Sequence, residues 1–154
     1  MGIYSNLDSH EYPSMNQSIL TIRNLTWAYV LLFVLLVGMN YMPFIYAENG
    51  MVFGFFKLEP EGNILHVISG IWATVAALTS RNAQLFYFRA FGSAYFLDGI
   101  VGVVFGSAYL NLHIFDPARQ PVVDLMTRLV VNAPHLAIGG AAMIIGFYLH
   151  KRIR

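Results

Sequence analysis

The chain has 154 residues, of which 57% are hydrophobic and only 11% charged, with a net charge of +1. Soluble domains are about one quarter charged, so this composition, with a mean hydropathy of +0.59, indicates a single-domain membrane protein. The near-neutral balance excludes a nucleic-acid partner, and the absence of cysteine excludes disulfides, thiolate catalysis and Cys-ligated metals.

Residues 1–24 read as a cytoplasmic tail, polar and turn-rich to about Gln17. A short interfacial helix is expected over Ser18–Asn24, with Ile19, Leu20 and Ile22 on its apolar side. The transmembrane domain is 25–154. Its first span, 25–46, has no charge and is long enough for a hydrocarbon core of about 30 Å. Trp27 and Tyr29 near one end, and Tyr41 and Tyr46 near the other, read as interfacial anchors. The Phe and Tyr content is assigned mostly to lipid or the interface, with no binding box. The stretch 47–62 carries Glu48, Lys57, Glu59 and Glu61 around the apolar insert Met51–Phe56, which is too short to span, so it forms an outer loop.

The second span is 63–79, stopped by Ser80-Arg81-Asn82, and the brief turn suits an antiparallel neighbour. The third, 86–109, opens with Arg89 and holds Asp98 near its middle. Gly99, Gly102 and Gly106 follow as a small-residue strip that lets helix backbones approach. Residues 111–124 make a second outer loop, and Leu125–Val131 either extends the last helix or forms a separate short one. The fourth span, 130–149, ends at His150-Lys151-Arg152-Ile153-Arg154. Arg23, Arg81, Arg89, Lys151, Arg152 and Arg154 then share one side, which the positive-inside rule makes cytoplasmic for both termini.

Asn63-Ile64-Leu65-His66-Val67-Ile68-Ser69-Gly70 recurs 69 residues later as Asn132-Ala133-Pro134-His135-Leu136-Ala137-Ile138-Gly139. Both copies read Asn-x-x-His-x-x-x-Gly and open the second and fourth spans. The domain is therefore a tandem parallel repeat of two helical hairpins related by an axis along the membrane normal. Each Asn is positioned to cap its helix, and each His shares a face with its Gly one turn deeper. His66 and His135 are expected at matching depth, each bonded to a loop carbonyl or side chain near its own helix start. The alternative is a b-type haem held by both imidazoles, with Gly70 and Gly139 leaving room for the macrocycle. The motif supplies no carboxylate for a metal shell. Asp98 costs about 3 kcal/mol on insertion scales, so it faces the bundle interior, as a buried structural hydrogen bond or a proton relay. Arg89 lies half a turn out of phase with Asp98 and does not pair with it along the helix.

On these motifs, and on Tyr87-Phe88-Arg89-Ala90-Phe91-Gly92, the chain over about Leu25–His150 resembles a family of small four-pass bacterial membrane proteins of unknown function. The resemblance implies a four-helix membrane fold and no activity. With no nucleophile–base set and no spaced carboxylate–His cluster, an enzyme is not expected. The favoured reading is a structural or accessory protein of the bacterial cytoplasmic membrane. In it the chain packs against itself or a larger membrane complex, without a cofactor. A haem b electron carrier and a small proton or ion transporter using Asp98 are the alternatives.

Overall fold

Thr21 opens the first helix: its hydroxyl accepts from Asn24 N–H at 3.1 Å, satisfying one of the unpaired donors of a helix start. Helix α1 (Ile22–Gly38) follows. The computed structural model describes residues 21–54, 56, 60–110, 115 and 124–152; the expected tail and most of its interfacial helix lie outside them. The α-helix stops eight residues short of the expected Tyr46, giving way to 3₁₀ turns at Met39–Tyr41 and Pro43–Ile45. Pro43 explains this, since proline lacks an N–H and pushes the residue before it out of the helical region. Met42 has φ −109° and ψ 89°. Beyond it, Val52 is fully buried in a small knot held by backbone bonds between Val52 and Phe56 and from Phe53 to Ile45.

Helix α2 (Pro60–Thr79) starts three residues before Asn63, with proline in the first turn, where its missing N–H costs nothing. A single residue, Ser80, separates it from α3 (Arg81–Phe105). Ser80 is extended and its hydroxyl accepts from Ala83 N–H, so the third helix starts five residues before the expected Phe86. Gly106 ends it at φ +79°, the left-handed conformation that glycine adopts without penalty. Gly106 is thus a terminator and not the end of a packing strip. Helix α4 (Leu125–Phe147) is capped by Asp124, which accepts from Thr127 N–H and Oγ1. Those bonds hold the Asp124 carboxyl below the usual carboxylate range. Residues 125–131 therefore extend the last helix, and Pro134 lies inside it without ending it.

All four helices are long and apolar enough to cross a membrane. The start of α1, the α2–α3 turn and the end of α4 share one end of the bundle, where Arg81 donates to the His150 carbonyl at 2.8 Å. The end of α1, the start of α2, the end of α3 and the start of α4 lie at the other, the loop end. Helices α3 and α4 pack closest. A side chain at Gly92 would strike the backbone of Met143 at 2.7 Å, and one at Gly146 would meet the Arg89 backbone at 3.0 Å.

The core is aromatic. Tyr29, Phe33, Tyr87, Phe88, Phe91 and Tyr95 are all buried, with Tyr87 and Phe91 stacked at 5.0 Å and 9°. This corrects the assignment of Tyr29 to an interfacial anchor, while Tyr41, Phe44, Phe86 and Tyr148 are exposed as expected. Tyr29 is 8% exposed and its hydroxyl donates to the Ile138 carbonyl at 2.7 Å. Small residues made the room: Ala73, Ala76 and Ala142 are buried against these rings. The outward faces of the helices are apolar, as lipid contact requires.

Candidate functional site

Asp98 sits on α3 two turns before its end and is completely buried. After Gly106 the chain turns back along the helix that it has just left. Tyr109 lays its hydroxyl on the Ala94 carbonyl at 2.7 Å. That return brings two backbone N–H groups onto Asp98 Oδ1, Tyr109 at 2.9 Å and Leu110 at 2.7 Å. The other oxygen meets His135 Nδ1 at 2.6 Å. Facing a carboxylate, which only accepts, Nδ1 is the donor and Nε2 is the ring's other nitrogen. Two backbone donors and the His135 contact satisfy a carboxyl group that would otherwise be very costly at this depth.

The glycine beside Asp98 makes the meeting with His135 close. A Cβ at Gly99 would lie 2.8 Å from Leu136, the neighbour of His135, so only a bare backbone lets α3 and α4 approach this far. Asp98 thus faces the bundle interior with a partner. The expectation that each His bonds near its own helix start does not hold: His135 reaches across to α3. The sequence offered no carboxylate–His cluster because the two residues are 37 apart and on different helices. One signal was available, since Asp98 is the sole acid inside a span and only His66 and His135 lie inside spans to meet it.

From His135 a short polar string continues inward. Its ring packs on Tyr95 at 5.2 Å, and Tyr95 Oη lies 3.2 Å from Ser69 Oγ on α2. There the string ends, because Tyr95 is next packed against Phe91 at 4.2 Å and Phe33 at 6.1 Å.

His66 is not the equivalent of His135 in its bonding. Sixty-nine residues before Asp98 stands Tyr29, so the first half has no acid at the equivalent position. The His66 ring lies 6.0 Å from Phe33 and lines an open groove between α1 and α2. Among the described residues it has no hydrogen-bond partner. The glycines of the motif mark close approach within each hairpin. A Cβ at Gly70 would sit 3.1 Å from Phe33 Cβ, and one at Gly139 would run into the backbone of Phe96. The space beside them is occupied by the neighbouring helix.

Neither motif asparagine is an N-cap, a correction that follows from the earlier helix starts. Asn63 lies in the first turn of α2 and accepts from Asn40 Nδ2 at 2.9 Å, tying the ends of α1 and α2 together. Asn132 is two turns inside α4, donates to the Arg128 carbonyl at 2.9 Å and fills the space over Gly102. Arg89 is at the opposite end from Asp98. It donates to the Gly146 carbonyl at 2.9 Å, covers the Phe147 ring at 5.7 Å and lies 3.4 Å from His150 Nε2. Among the described residues no three His, Asp or Glu converge as a metal shell would require. No family model matches the chain, and no curated protein or solved structure matches it either.

Proposed function

We propose that this chain is a non-enzymatic structural or accessory protein of the bacterial cytoplasmic membrane, built as a repeated helical hairpin and packed against its own kind or a larger membrane complex. The observation that carries the reading is the closed state of Asp98: fully buried, with both oxygens engaged by donors that hold a loop and α4 onto α3. A carboxylate used in this way ties elements together and leaves no vacant position for substrate. The resemblance to a four-pass family, drawn from the two Asn-x-x-His-x-x-x-Gly segments, adds no activity.

The outer face of α2 supports association. Ile64, Ile68, Ile71, Val75 and Leu78 follow one another at spacings of four and three, and each is more than half exposed. That is the period of a seam along which helices pack. The chain has no cysteine, so a single introduced thiol reports on one position alone. Oxidative cross-linking in native membranes should couple Ile68→Cys to a second copy or a larger partner, and should leave Leu97→Cys on α3 uncoupled. Equal coupling at both positions, or none at either, removes the reading. The Lys and Arg distribution supports cytoplasmic termini as part of this reading. Reporter fusions after Arg154 and within loop 116–124 should therefore signal from opposite sides.

The 2.6 Å contact between Asp98 and His135 favours a second reading, a proton or ion transporter. Against it, the polar string stops at Ser69 and Tyr95 above the aromatic core. The haem reading ranks third. Two imidazoles on one iron need nitrogens about 4 Å apart, each about 2 Å from the metal. The faces beside Gly70 and Gly139 are filled by Phe33 and Phe96. A visible spectrum of the cross-linking preparation without a haem band is the expected outcome.

A further inference from the structure

The groove between α1 and α2 has a volume of about 390 Å³, within the range of ligand sites. Its walls are Val30, Val34 and Val37 on one side and Val67, Ile71 and Val75 on the other, and Phe33 and Gly70 form its floor. His66 and Thr74 are its polar residues. Thr74 is already engaged, donating to the Gly70 carbonyl at 2.8 Å. His66 is not, which leaves one imidazole N–H facing an otherwise apolar trough. A polar group in that position costs free energy unless a ligand bonds to it.

Two lengths identify what fits. Glu61, in the first turn of α2, marks the charged rim at the loop end. His66 is five residues further along, about 7.5 Å deeper at 1.5 Å per residue. The polar interface of a bilayer is about 6 Å thick on each side of the hydrocarbon, so the ring stands where headgroup gives way to chain. From His66 to Val75 the groove then runs nine residues, about 13 Å. That is close to half of a hydrocarbon core of about 30 Å, the reach of one leaflet.

We infer that this groove is a lipid-binding site: it takes one acyl chain of a diacyl phospholipid from the leaflet at the loop end, with the chain's ester carbonyl accepting a hydrogen bond from His66. The ester carbonyl is the first acceptor above the chain, at the depth where the imidazole waits. Phe33 and the three valines of α1 supply a dry wall for the chain, and Gly70 lets Phe33 sit low enough to keep the trough open. The inference does not rest on how the protein is used in the membrane. It needs only the helix pair.

The test uses full-length protein, purified in mild detergent and incubated with a diester phosphatidylcholine or its diether analogue, with retained lipid read by native mass spectrometry. Wild type should keep one diester molecule and several-fold less diether, since the ether lacks the carbonyl. His66→Gln keeps a donor and should preserve that preference; His66→Leu should hold both lipids equally. Val34→Trp should fill the trough and hold neither, with helicity unchanged in all three variants. Equal retention of the two lipids by wild type, as from non-specific coating, overturns the site. So does an unchanged preference in His66→Leu. Displacement of the diester lipid by an equimolar short-chain quinone, dependent on His66, would assign the groove to a different occupant and overturn the lipid assignment. Cross-linking of Val34→Cys to a protein partner would do the same.

Discussion

Replacing Asp98 by leucine should prevent the protein from accumulating in the membrane, whereas Asp98→Asn should accumulate and fold. Leucine leaves three donors with nothing to bond: Tyr109 N–H, Leu110 N–H and His135 Nδ1. A buried orphan costs about 1–3 kcal/mol, so the three together remove about 3 kcal/mol or more from a stability that is only about 5–15 kcal/mol. Asparagine presents an oxygen to the two backbone groups and an N–H to His135, which can switch tautomer to accept. Its loss is confined to the charge assistance of those bonds. The apparent melting midpoint in detergent, with expression level, measures both variants. His135→Leu orphans only one oxygen of Asp98 and should fall between them. Reconstituted vesicles separate structure from transport: wild type and Asp98→Asn should leak protons no faster than empty vesicles. A proton or ion flux present in wild type and lost in a folded Asp98→Asn would replace the structural role with the relay.

Composition and apolar stretches were enough to expect four helices long and apolar enough to cross a membrane, because lipid imposes length and apolarity on any helix that crosses it. The repeat motif marked the residues that matter, but its chemistry was not legible. Asn63 and Asn132 looked like caps, yet the actual starts are set by Pro60 and Asp124, whose local signals are as ordinary as those of the asparagines. The two His residues looked equivalent because the motif is symmetric. Their difference comes from the preceding helices, where one half has Asp98 and the other Tyr29. Aromatic residues carry no label for core or lipid, since both are apolar. What assigns Tyr87 and Phe91 to the core is the facing set of small residues, a property of pairs of helices. Gly106 read as one more member of a strip until the backbone showed φ +79°.

That dependence on pairs yields the largest expected effect among the glycines. Gly139→Ala adds one carbon to α4 at the point where the backbone of α3 passes. The new Cβ would overlap Phe96 N–H and lie 2.9 Å from both Phe96 Cα and the Tyr95 carbonyl carbon. Backbone cannot swing aside as a side chain does, so α3 and α4 must separate. Separation there acts on Asp98–His135, within one turn on each helix, whose 2.6 Å contact leaves no slack. Overpacking of this kind costs about 1–3 kcal/mol before any loss at the site, or about 3–10 °C in melting midpoint for a chain of this size. The adjacent Gly140→Ala is the control. Its Cβ would lie 3.5 Å from the edge of the Phe96 ring, ordinary contact, and replacing glycine by alanine inside a helix is favourable by about 0.5–1 kcal/mol. Gly140→Ala should therefore melt at or above wild type while Gly139→Ala melts well below it. Equal midpoints for the two variants would mean that α3 and α4 do not pack backbone to backbone at Gly139, and the geometry that joins His135 to Asp98 would fall with that contact.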